Sequence, residues 1–141
     1  MFITRASRHD RPDVEELYQG HGWGEKHDLK RGTAFIARDG GVVGVLRLIE
    51  VEPNTLVVDG VLVKDGRREE GIGRGLMQAA MNSRGGTMYL CCHEARLRFY
   101  GHFGFEQIDF MDAPEPVRKY WEEIGDWPME PGHEHFFMKA R

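Results

Sequence analysis

The stretch that most restricts what this chain can become runs from Leu56 to Met81. An apolar run, Leu56 to Val63, reads as a buried strand, and Ile72, Leu76, Ala79 and Ala80 make one apolar helix stripe over Ile72 to Met81. Between them lies a charged turn that ends Arg68-Glu69-Glu70-Gly71-Ile72-Gly73-Arg74-Gly75. A strand, a glycine-rich turn and a helix N-terminus in that order form an anion site. Free backbone N–H groups converge there, and the helix dipole adds partial positive charge. Gly71 and Gly73 keep any Cβ out of the way of a ligand approaching the backbone. The expected ligand is a diphosphate.

Three phosphate-binding patterns compete for this turn. The nucleotide P-loop needs Gly-x-x-x-x-Gly-Lys-Ser/Thr. Gly66 and Gly71 have that spacing, but Ile72 and Gly73 stand where the lysine and hydroxyl belong. The dinucleotide fingerprint needs Gly-x-Gly-x-x-Gly directly after a strand, with an acidic residue about 20 positions on. Gly71, Gly73 and Glu94 fit, but Leu76 occupies the third glycine position and Lys64 to Glu70 separates strand from glycines. The third pattern, Arg/Gln-x-x-Gly-x-Gly/Ala, is matched in full by Arg68, Gly71 and Gly73.

The surroundings of that motif carry the identification further. Gly60-Val61-Leu62-Val63-Lys64 leads into the turn, and Phe99-Tyr100-Gly101-His102-Phe103-Gly104-Phe105 follows one helix and one strand later. With these three segments the chain resembles the GNAT superfamily of acyl-CoA-dependent N-acetyltransferases. The likeness covers residues 2 to 108 and a last strand near His135 to Lys139; residues 109 to 133 match no part of the family's pattern. It implies a single α/β domain over residues 1–141, with a mixed, twisted sheet of six or seven strands and about four helices on both faces.

Composition agrees with one globular domain: 141 residues, 40% hydrophobic and 30% charged. The net charge of −4 argues against general nucleic-acid binding, which needs a basic face. It does not argue against CoA, because Lys64, Arg67, Arg68 and Arg74 cluster at the turn. Met1 to Arg5 has no signal-peptide character, and no run approaches a membrane span of about 18 apolar residues. The two cysteines, Cys91 and Cys92, are adjacent and make a poor disulfide framework. A reducing cytoplasm and no membrane partner are therefore expected. A homodimer is compatible with the sequence, which sets no oligomeric state.

Local signals place the remaining elements. Phe2 to Ala6 reads as a strand, and Asp10 as the cap of a helix over Arg11 to Tyr18. A short helix is expected around Glu25 to Arg31. Thr33 to Arg38 and Val42 to Ile49 are strands joined by Asp39-Gly40-Gly41. Thr87 to Cys92 reads as a buried strand, Ala95, Phe99 and Phe103 have helical spacing, and Phe105 to Phe110 reads as a strand. Antiparallel strands followed by a strand–helix–strand crossover give a mixed sheet.

The resemblance implies that acetyl-CoA is the co-substrate, with its pyrophosphate on the amides of Glu69, Glu70, Gly71, Ile72, Gly73 and Arg74, next to Arg68. It implies that the pantetheine arm pairs with backbone near Leu62 and Val63. It also implies that Tyr100 protonates the departing thiolate, for which a phenol with a reference pKa of about 10 is a competent acid. On periodicity alone Tyr100 would be a core aromatic among Phe99, Phe103 and Phe105. His93 stands where the family often has Asn; it is either a base or pantetheine contact, or a helix-start residue with local bonds. Asp59, inside an apolar strand, is either a general base or a structural carboxylate. If that strand alternates, Val57, Asp59, Val61 and Val63 share a face.

Trp23, between Gly22 and Gly24, is either a lid anchor at the acceptor site or a satellite of the core. Cys91 and Cys92 read as packing residues. His133-Glu134-His135 and His93-Glu94 hint at a metal, but without a His-Glu-x-x-His or Cys-x-x-Cys pattern no metal is expected. Residues 109 to 134 are acidic, with Trp121 and Trp127 interleaved: either a solvated helix face or an acidic, aromatic wall for a cationic amine. The function expected is transfer of an acetyl group from acetyl-CoA to a primary amine by direct attack. The acceptor would be a small molecule or a peptide or protein amine. The alternative is a non-catalytic acyl-CoA sensor on the same fold.

Overall fold

The computed structural model describes residues 1–23, 31–68 and 70–140. The helix expected around Glu25 to Arg31 falls largely outside them, as does Glu69. The strands are β1 (Phe2–Arg5), β2 (Thr33–Arg38), β3 (Val42–Glu52), β4 (Thr55–Val63), β5 (Thr87–Cys92), β6 (Glu106–Ile108) and β7 (Phe136–Ala140). They form one seven-stranded mixed sheet in the order β1-β2-β3-β4-β5-β7-β6. The described α-helices are α1 (Arg11–Gly20), α2 (Ile72–Ser83), α3 (Leu97–Gly101) and α4 (Glu115–Glu123). The chain forms two compact units, Met1–Ile49 with Asp59–Arg84, and Glu50–Val58 with Gly85–Arg141.

In the first unit, both faces of the sheet are covered, and the strand register shows how. Ile36 pairs with Val45, and Ala37 with Gly44, along antiparallel β2 and β3. Ile36 and Val45 join Val14 and Tyr18 of α1 and Leu62 of β4 in one buried cluster. Their neighbours point the other way, since side chains alternate along a strand. A Cβ on Gly44 would lie 2.7 Å from Ile72 Cγ2 and 3.1 Å from Leu76 Cδ1. So α2 crosses that opposite face at a distance only glycine permits.

In the second unit, β4 pairs in parallel with β5 over Thr55–Val58 against Thr87–Leu90. β7 then joins β5 and β6 antiparallel. The acidic segment without a counterpart supplies α4, whose apolar side carries Val117, Tyr120 and Trp121 inward. Trp121 is 1% exposed and packs against Phe137 at 4.5 Å between ring centroids, while Trp127 stacks on Phe110 at 4.1 Å. Trp121 therefore belongs to the core, half-buried Trp127 flanks it on Phe110, and Glu122 and Glu123 face solvent. The acidic, aromatic wall is not formed, because the aromatics have better use inside.

Two local expectations change. Asp10 stands at the N-cap of α1 but makes no cap bond to it. Its carboxylate instead accepts from the Ser7 backbone N–H at 2.7 Å and pairs with Arg38. The Ser7 N–H first, and the Arg38 guanidinium second, hold the Asp10 carboxyl below the ordinary carboxylate range. Phe105 to Phe110 yields only a three-residue β6, because the chain enters a 3-10 turn at Phe110–Asp112 closed by reciprocal Asp109 and Asp112 bonds.

The close crossing of α2 gives a contrast between two glycines. At Gly44 a new methyl meets the Cγ2 of a β-branched residue held stiffly by its helix. At Gly75 it would meet only Ile3 Cδ1, the end of a flexible side chain, at 2.3 Å. Gly44→Ala should cost about 1–3 kcal/mol in chemical denaturation, as overpacking does. Gly75→Ala should stay within about 1 kcal/mol of wild type, because helix propensity offsets the contact. Equal losses would mean that α2 does not cross β3 this closely.

Candidate active site

The site is built on a bend in β4. Gly60 has φ +59°, which interrupts the alternation that would put Val57, Asp59, Val61 and Val63 on one face. Both of its peptide groups are taken by side chains. The buried Tyr18 hydroxyl donates to the Gly60 carbonyl at 2.7 Å, and the Gly60 N–H donates to Asp59 Oδ1 at 2.8 Å. Asp59 Oδ2 lies 3.9 Å from the guanidinium of Arg47, which is 2% exposed and also donates to the Arg31 carbonyl at 2.8 Å. The carboxylate noticed in the sequence thus sits in a network holding the bend. Burial raises the Tyr18 phenol above its ordinary range and keeps it a donor.

Beyond the bend, Leu62 turns into the cluster with α1, and Val63 remains half-buried. The Lys64 N–H donates to the Val43 carbonyl at 2.8 Å, which anchors the start of the turn. Gly71 then caps α2 in the left-handed region at φ 76°, and as a glycine it offers the helix N-terminus no capping side chain. The glycine is required there by backbone conformation. The leading amides of α2, from Ile72 to Arg74, thus receive no side-chain cap from their N-cap residue, which suits an anion.

The cations of this turn are partly committed. Arg67 donates to Asp39 at 2.6 Å and to Glu70 at 2.5 Å, and Arg68 lies 3.0 Å from Asp65. The Arg67 guanidinium draws the Asp39 carboxyl below its ordinary range. Arg74 is exposed on the first turn of α2.

A cleft of about 790 Å³ opens beside Leu62 and Val63, with Asp13, Glu16, His21, Arg38, Lys64 and Asp65 among its lining. The sequence reading missed it, because its walls come from α1, the β2–β3 turn and the end of β4. Trp23 packs against the cluster containing Tyr18 and Leu62, and its ring meets His21 edge-on at 4.6 Å. That is the satellite position of the two open for it.

In the second unit, Tyr100 is 7% exposed on α3, with Phe99 at 5.1 Å and Phe105 at 6.1 Å between ring centroids. Core packing and an acid role are compatible here, since the aromatic neighbours fix the ring. His93 follows β5, is exposed, and its ring lies 4.9 Å from that of His135. Cys92 is buried with Sγ 3.9 Å from Met138 Sδ, and burial pushes its thiol up to about 11.

The family model for the acetyltransferase (GNAT) domain matches residues 30–107, more than half of the chain. The chain belongs to the GNAT family. Among solved structures, the GNAT fold recurs in Mycobacterium tuberculosis Rv2747, determined in complex with CoA and NLQ. That chain is 19% identical, with TM-score 0.71 and coverage of 99% of this chain and 98% of that one. Escherichia coli ElaA is 15% identical with TM-score 0.70, and each chain is covered completely, 100%. N-acetylglutamate synthase from Neisseria gonorrhoeae, complexed with coenzyme A and N-acetyl-glutamate, is 16% identical with TM-score 0.71. It covers 100% of this chain, which spans 35% of the synthase. No curated protein sequence matches. These likenesses establish the fold, and the family model establishes an acyltransferase domain. No helix among the described residues is long and apolar enough to cross a membrane.

The bend in β4 can be tested through the bond that holds it. Tyr18→Phe leaves the Gly60 carbonyl buried without its hydroxyl donor, a loss of about 1–3 kcal/mol. Because burial raises the Tyr18 pKa, the wild-type advantage is fully present below the unfolded value of 10.0 and shrinks as pH rises above it. Denaturation of both proteins at pH 7 and pH 11 checks this. A gap that is constant across that range, or absent at pH 7, would contradict the assignment.

Proposed function

We propose that this GNAT domain transfers an acetyl group from acetyl-CoA to a primary amine, small or carried on a peptide or protein. The observation that carries the reading is the glycine-capped N-terminus of α2, set directly after the bent strand β4. The cofactor-like part of the donor fits this chain on three counts. Gly71 leaves open space where a Cβ would stand, it gives the leading amides no side-chain cap of its own, and Arg74 adds an exposed cation.

In this reading the amides of Gly71, Ile72, Gly73 and Arg74 hold the pyrophosphate, with Arg68 at its edge. Backbone near Leu62 and Val63 orients the pantetheine arm. A backbone N–H there polarises the thioester carbonyl in the manner of an oxyanion hole. An alkyl ammonium, with a reference pKa of about 10, must first lose a proton. The neutral amine then attacks the thioester carbonyl to give a tetrahedral intermediate. Its collapse breaks the C–S bond, Tyr100 gives its hydroxyl proton to the leaving thiolate, and the proton shed by the amine nitrogen passes to water, from which Tyr100 is reprotonated. Asp59, engaged by Arg47 and the Gly60 amide, is assigned to holding β4 in shape.

Two measurements test this reading. Acetyl-CoA at 100 times its Kd should stabilise the folded chain by about 2.7 kcal/mol, while NADH and ATP at equal concentration should not. Gly73→Asp should abolish that shift, because a carboxylate then stands where the diphosphate would lie. Undiminished binding in a folded Gly73→Asp protein would remove the basis of the proposal.

Tyr100→Phe keeps the ring among Phe99 and Phe105 but removes the proton. It should lower kcat by roughly tenfold to a thousandfold, measured as free-thiol release across an amine panel, with CoA affinity little changed. An unchanged rate would make Tyr100 a packing residue. Binding without turnover of any amine would favour the acyl-CoA sensor.

A further inference from the structure

The antiparallel register of β5 and β7 pairs Cys91 with Phe137 and Cys92 with Phe136. Continued by one residue, it sets His93 opposite His135. Alternation then places Cys91, His93 and His135 on one face of the sheet. The rings of His93 and His135 meet at 4.9 Å, as that register requires. Onto the same place comes Asp126, which follows α4 and is anchored by its N–H to the Trp121 carbonyl at 2.9 Å. A ligand atom from each of Cys91, Asp126 and His135 lies within 4.8 Å of the others, and all three residues are half-buried. A second observation points the same way: His135 Nδ1 is buried and has no hydrogen-bond partner among the described residues.

We propose that Cys91, Asp126 and His135 bind one divalent transition-metal ion, with zinc as the best match. The donor set is a thiolate, a carboxylate and an imidazole. Thiolate and imidazole select zinc over the hard cations, which take oxygen ligands. Cys91 loses its proton to water as the S–metal bond forms. Thiolate and carboxylate together then balance the charge of the dication. Bond lengths of about 2.0–2.3 Å make the edges of a tetrahedron roughly 3.3–3.8 Å, so separations within 4.8 Å need to close by no more than about 1–1.5 Å on binding. The fourth position is left to water, and His93 packs beside the His135 ring as a positioning residue. Cys92 is excluded, since its side chain points to the opposite face and lies against Met138.

The site leaves no linear motif. Its residues are 35 and 9 positions apart, at 91, 126 and 135, and only the strand order brings them together.

The experiment uses the full chain, reduced and stripped with a chelator. Zinc titrated against a chromophoric competitor should bind one equivalent. Cobalt should bind at the same place with a thiolate-to-metal charge-transfer band. Cys91→Ser, Asp126→Asn and His135→Gln should each weaken zinc by more than about 100-fold, beyond the 10–100-fold of outer-shell changes. His133→Gln, on the exposed neighbouring histidine, should leave zinc affinity unchanged. Wild-type protein supplies a readout that needs no variant. Cys92 is buried against Met138 and Cys91 is only half-buried, so Cys91 is the thiol that alkylates, and one equivalent of zinc should slow its labelling about tenfold or more. Labelling unaffected by zinc, a cobalt spectrum without the charge-transfer band, or full affinity in folded Cys91→Ser or His135→Gln would overturn the site.

Discussion

A guanidinium left only 2% exposed in the middle of a sheet is tolerable only if its charge and donors are met, and Arg47 on β3 meets them through Asp59 and the Arg31 carbonyl. Asp59 in turn takes the N–H of Gly60, and Tyr18 from α1 takes its carbonyl. The peptide groups on either side of Gly60 are thus satisfied by side chains. This lets β4 bend at a left-handed glycine without leaving buried polar groups unmet. Everything downstream in that unit depends on the bend, including the direction in which Leu62 enters the core and the point at which Lys64 begins the turn.

The glycines of the turn then divide their labour. Gly71 is set by a positive φ at the helix cap and has open space around its missing side chain. Gly75 and Gly44 are set by contact, one against Ile3 and the other against Ile72 and Leu76. The sequence points to ligand approach at Gly71 and Gly73. The structure adds a backbone requirement at Gly71 and gives Gly75 to packing, because α2 lies close on β1 and β3.

What was legible in the sequence was periodic or local. β2 and β5 have the bounds expected of them, and α2 starts at the expected Ile72, since apolar patterning and glycine punctuation are carried by neighbouring residues. The GNAT motif was legible for the same reason. What was not legible depends on partners far along the chain. Asp10 reads as a helix cap until Arg38 claims it. Trp121 and Trp127 read as surface aromatics among acids until Phe110 and Phe137 surround them. Asp59 reads as either a base or a structural carboxylate, and Arg47, invisible as a buried charge in an apolar strand, lies beside it.

The same distinction governs the charge of the anion site. Four cations near the turn suggest a basic pocket, yet Arg67 is held by Asp39 and Glu70, and Arg68 faces Asp65. Exposed pairs of this kind are worth little as stability, but they lower the local excess of positive charge. What they leave untouched is the set of backbone amides at the start of α2 and the dipole behind them. Those donors belong to the backbone and are fixed by the helix, so ion pairing among the neighbouring side chains does not remove them. A chain with a net charge of −4 can therefore offer a diphosphate site without a basic surface.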